Sequence, residues 1–164
     1  MPQPSAGRKL LPSVLDRLID DAPRGGPDPA EGQPWSLERA RAAVKRDLEW
    51  LLNSRQVLVR LPADAGPLGR SALTYGLPDL ASTSLSTPAD QARLRRTIVE
   101  AIARFEPRLD HVEVTLEPAR EHERAVRFRI DAMLKVEPEP EPVTFDSLLK
   151  LDTKSFVVRG EAHD

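Results

Sequence analysis

The chain contains no cysteine, which excludes disulfide bonds, thiolate catalysis and cysteine-ligated zinc. Its three histidines, His111, His122 and His163, are spread over a predicted strand, a predicted turn and the tail. Because scattered ligands of this kind do not form a metal site, we expect none. The sequence also lacks a Ser-His-Asp grouping and a phosphate-binding glycine loop, so we expect no catalytic triad and no cofactor.

Long apolar runs and a surplus of one charge are also missing. No stretch approaches the ~20 apolar residues that cross a bilayer, so we expect no direct insertion into a membrane. The formal net charge is -2 and the two signs are interleaved along the chain, which argues against a nucleic-acid partner. The N-terminus lacks the charged-then-apolar order of a secretory signal, so we expect the protein in the cytoplasm.

Aromatic residues are scarce at 4%, so the core is expected to consist of leucine, valine, isoleucine and alanine. At 164 residues the chain has the length of one domain. We expect residues 1–34, rich in proline and glycine, to form a flexible segment. Residues 35–159 are predicted to form a single α+β domain, and residues 160–164 to be a frayed tail.

A short helix is predicted within the N-terminal segment, over about residues 13–20, with Ser13 as its N-cap. A helix of this length is marginal alone, so we expect it to be ordered only by docking, either on its own domain or on a partner. The docking face is predicted to be apolar and to consist of Val14, Leu15, Leu18 and Ile19.

Two longer segments have the periodicity of amphipathic helices. The first runs from Leu37 to about Leu52 behind the N-cap Ser36, and the second from Pro88 to Arg104 behind the N-cap Thr87. Between them, residues 62–86 are punctuated by proline and glycine and are expected to form a structured loop. The residues predicted to pack this loop are Leu73, Tyr75, Leu77 and Leu80.

Alternating apolar and polar residues predict a small, mainly antiparallel sheet packed against the two main helices. The segment Val112–Leu116 is expected to pair with the strand that follows the turn at residues 118–124. This pairing would place glutamates of one strand opposite arginines of the other, which stabilises the pair. The expected neighbours are Glu113 and Glu117 with Arg127 and Arg129.

Three further segments are predicted to be a strand, a spacer and a hairpin. A short strand is expected over Val57–Leu61. The repeat Glu137–Pro142 is expected to adopt polyproline II and to act as a spacer between strands, because a tight hairpin turn would not use it. Val143–Arg159 is predicted to form a hairpin that turns at Asp152–Lys154, and it is our candidate for an exposed sheet edge.

The stretch Phe105–Leu109 lies where the second helix must give way to a strand. Pro107 cannot donate a backbone hydrogen bond, and its ring pushes Glu106 out of the helical region toward an extended conformation. Residues i and i+2 of an extended segment share a face, so Glu106 and Arg108 are expected to project side by side. The sequence therefore predicts a carboxylate and a guanidinium on a stiff corner.

The same stretch, following Leu94–Ile102, resembles the signature of TssE. This family is the small baseplate subunit of the bacterial type VI secretion system and is akin to a wedge protein of contractile-tailed phages. Ser13–Leu18, Asp47–Arg55 and Tyr75–Leu80 also resemble segments of that family. The resemblance is ordered and covers most of the chain, from about residue 8 to about residue 159.

The resemblance implies a structural role in the cytoplasm, in a baseplate complex docked on the membrane. It implies that Glu106, Pro107 and Arg108 hold the subunit to larger baseplate subunits of the TssF and TssG type, with TssK. The Glu–Arg couple is also consistent with an internal brace of the corner. Trp50, which falls off the apolar stripe of its helix, and Arg104 are secondary candidates for an interface.

A second surface implied by the resemblance is the sheet edge. Tail-sheath subunits of the TssB/TssC type exchange strands with their neighbours, so the resemblance implies that the protein joins the baseplate wedge to the sheath and helps to start sheath assembly. The physical basis would be β-augmentation, in which an unpaired edge pairs with an incoming strand.

Two other functions are compatible with parts of the sequence. The first is a wedge protein of another contractile, phage-tail-like particle. The second is a peptidoglycan-cleaving glycosidase, which needs two carboxylates and one raised pKa, with Glu106, Asp110 and Glu113 as candidates. A cation beside Glu106 lowers a carboxyl pKa, which is the wrong direction for a general acid. We therefore expect no enzymatic activity.

Overall fold

The computed structural model describes residues 13–19, 36–57, 66–79, 87–117 and 125–160. In this part of the chain, helices come first and a sheet follows, which confirms the predicted α+β class with a short N-terminal helix. The helices are α1 (Val14–Leu18), α2 (Leu37–Asn53) and α3 (Pro88–Phe105), with two short 3-10 helices, Gly66–Arg70 and Ala72–Thr74, between α2 and α3. The strands are β1 (Leu109–Glu117), β2 (Ala125–Leu134), β3 (Glu141–Lys150) and β4 (Phe156–Gly160).

The two main helices begin at their predicted N-caps. The Ser36 hydroxyl accepts a hydrogen bond from the Arg39 amide at 3.1 Å, and the Thr87 hydroxyl accepts one from the Asp90 amide at 3.1 Å. Such caps satisfy amides that have no partner inside the helix. Pro88 occupies the first turn of α3, where its missing N–H costs nothing.

The four strands form an antiparallel sheet in sequential order, β1-β2-β3-β4. Strand side chains alternate between the two faces, and the apolar ones lie on the face that the helices cover. Each large apolar side chain buried there stabilises the fold by about 1.5–3 kcal/mol. The largest are Leu48 and Leu51 of α2, Leu94, Ile98 and Ile102 of α3, and Phe128, Ile130, Leu134, Phe145 and Leu149 of the sheet.

One predicted cross-strand pair is wrong. Glu117 lies opposite Arg127 as expected, but Glu113 lies opposite Asp131, because β1 and β2 keep one register from Glu113 to Glu117. The register shifts only earlier in β1, between Asp110 and Glu113. His111 in this irregular stretch has a positive φ of 49°. Arg127 and Arg129 are only two residues apart, so they cannot both lie directly opposite glutamates that are four residues apart in an antiparallel pair.

The Glu-Pro repeat is not the predicted extended spacer. β2 and β3 are direct neighbours, with Leu134 opposite Glu141 and Met133 opposite Pro142, so residues 135–140 are the loop of a hairpin. The Glu137-Pro138 peptide bond is cis. The strand pairing on both sides brings the ends of the repeat together, which overrides the tendency of its composition to extend. The second predicted hairpin, β3 to β4 through Asp152–Lys154, is confirmed.

The short strand predicted after α2 is also wrong in its described part. Arg55 forms an isolated parallel bridge with Leu77, Val57 belongs to no strand, and residues 58–61 lie outside the described residues. The bridge brings Gly76 against the end of α2, where a Cβ would lie 2.3 Å from the Ser54 carbonyl oxygen. With φ at +102°, this position requires glycine.

The loop between α2 and α3 is packed by fewer residues than predicted. Leu77 is buried, and the Tyr75 ring packs edge-on against Phe105 with centroids 5.2 Å apart. Leu73, by contrast, is 43% exposed, and Leu80 lies outside the described residues. Among the residues described, no helix is both long and apolar enough to cross a membrane.

Candidate functional site

The predicted corner is a tight turn at the end of α3. Glu106 leaves the helical region with φ −118° and ψ 78°. The segment then closes, because the Leu109 amide donates a hydrogen bond to the Glu106 carbonyl at 3.1 Å. Glu106 therefore leaves the helical region as predicted, but Pro107, with a fixed φ that suits the second position of such a turn, and Arg108 form the middle of the turn. The extended segment from Glu106 to Arg108 predicted from the sequence is wrong. We refer to Glu106–Leu109 as the corner.

The two charged side chains of the corner bind each other. Arg108 donates from Nε to Oε1 of Glu106 at 2.7 Å and from Nη2 to Oε2 at 2.6 Å. The two bonds match the fork of a guanidinium to the two oxygens of a carboxylate, which is a strong and directional arrangement. Because Glu106 is only 4% exposed, its carboxylate is committed to Arg108. The expected side-by-side placement is therefore confirmed.

Arg108 also binds two carboxylates from distant parts of the chain. Its Nη2 donates to Oδ2 of Asp47 in α2, and its Nη1 donates to Oδ2 of Asp16 in α1 at 3.3 Å. One guanidinium thus joins the corner, α2 and α1. The Lys135 side chain further ties the corner to the β2–β3 loop, because its Nζ donates to the Pro107 carbonyl at 3.2 Å.

A second arginine completes the arrangement. Arg46 of α2 donates from Nη2 to Asp16 at 2.6 Å and from Nε and Nη2 to Asp47 at 2.9 and 2.8 Å. Its guanidinium carbon lies 5.1 Å from the centroid of the Trp50 ring, within the range of a cation–π contact. We call Asp16, Arg46, Asp47, Glu106 and Arg108 the ion-pair cluster.

Asp16, and not an apolar face, attaches α1 to the domain. Asp16 is 8% exposed and completes a capping box with Ser13, whose hydroxyl donates to Oδ2 at 2.6 Å. Val14 and Leu18 are 76% and 75% exposed, so the apolar face does not dock on the protein's own domain, and its docking on a partner stays a prediction. Residues two positions apart lie on nearly opposite sides of a helix, so seating Asp16 on the domain turns Val14 and Leu18 outward.

The charges of the ion-pair cluster stabilise one another. Burial alone would lower the pKa of Arg108, but hydrogen bonds and charge from Glu106 and Asp47 outweigh it and raise that pKa above its ordinary value. Burial would likewise raise the pKa of Asp16, but the hydrogen bonds from Ser13 and Arg46 and the charge of Arg108 lower it. The ion-pair cluster thus sets three acidic side chains against two guanidiniums, one acidic group in excess.

The structure distributes the other sequence candidates around this site. Trp50 is 47% exposed beside Arg46, whereas Arg104 is exposed in the last turn of α3 and makes none of the hydrogen bonds of the ion-pair cluster. Pro107 is exposed on the corner itself. Of the carboxylates considered for glycoside cleavage, Asp110 and Glu113 are exposed on β1.

Three members of the ion-pair cluster were not singled out from the sequence as site residues: Asp16, Arg46 and Asp47. A signal existed for Asp16, because a serine N-cap followed three residues later by an acidic residue is the pattern of a capping box. Asp47 lies in a segment already recognised as resembling the TssE family. Neither signal reveals that these residues meet the corner, which depends on how the helices pack.

The family of the chain follows from residues 38–139, which match the model of the family described as baseplate wedge protein gp25. The match covers more than half of the chain and contains α2, α3, the corner and Asp47. The chain therefore belongs to this family of structural baseplate proteins, and the resemblance noted from the sequence is confirmed at that level.

A similar chain is found in a solved structure described as the baseplate complex from the type VI secretion system. It is 18% identical, the alignment covers 68% of this chain and 94% of that chain, and the TM-score is 0.46. No curated protein matches the chain.

Proposed function

We propose that the protein is a structural subunit of the baseplate of a bacterial type VI secretion system. In this role it joins the baseplate wedge to the contractile sheath and helps to start sheath assembly, in the cytoplasm and within a membrane-docked complex. The family match carries the proposal, since it includes the corner and α2. The assignment to a secretion system, and not to another contractile phage-tail-like particle, is supported by the ordered resemblance to TssE.

The corner is proposed to be the contact with the larger baseplate subunits, of the TssF and TssG type, with TssK. Support comes from its rigidity and its exposure: the ion-pair cluster fixes the backbone, while Pro107 is exposed and the Arg108 side chain is 22% exposed. A surface that is already ordered loses little conformational entropy on binding. Internal bracing and docking are therefore compatible roles of the same three residues, Glu106, Pro107 and Arg108.

The edge of β4 is proposed to meet sheath subunits of the TssB/TssC type. β4 pairs with β3 on one side. On the other side, the side-chain amide of Asn53 donates from Nδ2 to the Phe156 carbonyl at 2.9 Å and accepts at Oδ1 from the Phe156 backbone N–H at 2.8 Å. Alternate residues of a strand direct their backbone N–H and C=O groups to the same side, so these groups of Val158 and Gly160 point away from β3, as those of Phe156 do. We propose that an incoming strand pairs there, beyond the Asn53 contact.

The proposed role is not enzymatic. Glu106, one of the three sequence candidates for a catalytic carboxylate, is held by two hydrogen bonds from the Arg108 side chain and is almost fully buried. A general acid for glycoside cleavage needs a carboxyl group with a raised pKa that faces the substrate. Purified protein is expected to release no soluble fragments from peptidoglycan. Release that is abolished in Glu106→Gln would overturn the non-enzymatic assignment.

The proposed function is tested by imaging sheath assembly in the source bacterium with a fluorescent sheath subunit. Deletion of the gene is expected to abolish sheath structures, and expression of the wild-type protein is expected to restore them. Normal sheath formation in the deletion strain would contradict the proposal. If expression of the protein restores assembly of a different contractile particle, and not of the secretion sheath, the alternative wedge role is supported.

A further inference from the structure

The contact between α1 and the rest of the domain is an acidic side chain seated on two arginines. Oδ1 of Asp16 accepts from Arg46 at 2.6 Å and Oδ2 accepts from Arg108 at 3.3 Å, and the Asp16 side chain is 1% exposed. The exposed apolar residues Val14 and Leu18 lie on the opposite side of α1. The pair of guanidiniums is thus a carboxylate-binding site that α1 fills.

We infer that Asp16 is an internal stand-in for an acidic side chain of the docking subunit, and that α1 leaves Arg46 and Arg108 when that subunit binds. The inference rests on the proposed docking role of the corner and adds the chemistry of the contact and a means of regulating it. In the free protein α1 covers the two arginines, and in the complex an aspartate or glutamate of the partner takes the place of Asp16.

Lost hydrogen bonds favour an acidic occupant over an apolar one. When Asp16 leaves, the ion-pair cluster retains two guanidiniums and two carboxylates, Asp47 and Glu106, and two arginine donors lose their acceptor. A partially buried donor left without an acceptor is costly, and a carboxylate of the partner restores both bonds by giving one oxygen to each arginine, as Asp16 does. An apolar side chain would leave both donors without an acceptor, and an amide side chain has one oxygen where Asp16 has two.

The size of α1 favours its release. A helix of five residues is marginal by itself, and fixing it costs backbone entropy that its few contacts have to offset. Both arginines are also partly open to solvent, with side chains 27% and 22% exposed, which screens their attraction for Asp16. A partner carboxylate that arrives with a larger interface therefore competes effectively.

The test measures the affinity of the purified complex of the TssF-type and TssG-type subunits encoded with the protein. Asp16→Asn removes the charge of Asp16 and keeps the shape of its side chain, which weakens the state in which α1 covers the two arginines. This variant is therefore expected to bind the complex about tenfold more tightly than wild type. Asp90→Asn is the matched control. Asp90 occupies the same position in the cap of α3, hydrogen-bonded to Thr87 at 2.7 Å, and makes none of the contacts of the ion-pair cluster.

Hydrogen exchange of the amides of residues 14–19 supplies a second readout. In wild type these amides are expected to exchange faster when the partner complex is bound, because α1 is released. Unchanged affinity of Asp16→Asn for the complex would overturn the inference and leave α1 uninvolved. Weaker binding by Asp16→Asn, together with slower exchange of the α1 amides on complex formation, would also overturn it and make α1 part of the interface. The docking role itself fails separately, if folded Arg108→Ala binds the complex as wild type does.

Discussion

Arg108 and Asp47 lie 61 residues apart in the sequence and share a hydrogen bond from Nη2 of the arginine to Oδ2 of the aspartate. This bond fixes the position of α2 relative to the turn that ends α3 and starts β1. Glu106 orients the same guanidinium from the other side, so the corner is held by side chains as well as by its backbone.

Removal of the Arg108 guanidinium is expected to destabilise the fold. Arg108→Ala leaves Glu106 buried without its partner, and we expect a loss of about 3 kcal/mol in the free energy of unfolding. This lies at the low end of the range for a broken buried pair, because the Arg108 side chain is 22% exposed. Denaturant titration measures the loss.

Arg129→Ala is the control for that prediction. Arg129 also pairs with two carboxylates, Glu117 and Asp146, but its side chain is 48% exposed on the open face of the sheet. Its removal is expected to leave the free energy of unfolding close to that of wild type, because exposed ion pairs contribute little to stability. Equal losses in the two variants would show that the ion-pair cluster is an ordinary surface network.

Tyr75 reports the negative charge of the site, and it is the single tyrosine of the chain. Burial raises its pKa above the ordinary value, and the charges of Asp47 and Glu106 raise it further. Ultraviolet titration of tyrosinate is therefore expected to show a midpoint above about 10 in wild type and a lower midpoint in Asp47→Asn. A group whose pKa is raised by folding contributes its full stability below its unfolded pKa, and stability should fall as the pH rises through the raised value.

Asp79→Asn is the matched control for the titration. Asp79 is close to Tyr75 in sequence but pairs with Arg55 at the surface, 3.2 Å away. Its substitution is expected to leave the Tyr75 midpoint unchanged. If Asp47→Asn also leaves it unchanged, the charge of Asp47 does not reach the Tyr75 hydroxyl.

Gly76→Ala is expected to loosen the loop against the end of α2. The new Cβ would approach the Ser54 carbonyl oxygen to 2.3 Å at a backbone conformation that suits glycine, at a cost of about 1–3 kcal/mol. Gly69→Ala, where a Cβ meets nothing within 4 Å, is the control and should melt near wild type. Thermal unfolding of both variants decides the point, and identical melting would contradict the close packing of this loop.

The β4 edge predicts a backbone-specific effect on sheath assembly. Gly160→Pro removes an N–H that we expect to face the incoming strand, so the variant should fold but form fewer sheaths in the imaging assay. Gly160→Ala keeps that N–H, and a Cβ there meets nothing within 4 Å, so it should assemble normally. Normal assembly by a folded Gly160→Pro variant would move the sheath contact away from this edge.

Local signals predicted the parts of the fold that are decided locally. Ser36 and Thr87 marked the starts of α2 and α3 because an N-cap satisfies amides of its own first turn. The Glu106–Arg108 pair was also predicted from neighbouring residues, although through an extended segment, whereas the structure brings the two side chains together in a turn.

Tertiary packing decided what the sequence could not predict. Asp16 and Asp47 reach Arg108 across 92 and 61 residues, and no periodicity encodes such meetings. The Glu-Pro repeat forms a hairpin loop because the flanking strands pair, against its own extended tendency. The contact of α1 through Asp16 was not predicted, because the four apolar residues of this segment indicate an apolar face, whereas Asp16 meets two arginines.

The most direct test of the proposed docking corner is co-purification of the TssF-type and TssG-type subunits with wild type, Arg108→Ala and Arg129→Ala. It should be done at a temperature at which circular dichroism shows all three forms folded. We predict that folded Arg108→Ala loses the two subunits while Arg129→Ala retains them. Retention of both subunits by folded Arg108→Ala would contradict the docking role and leave the ion-pair cluster as an internal brace alone.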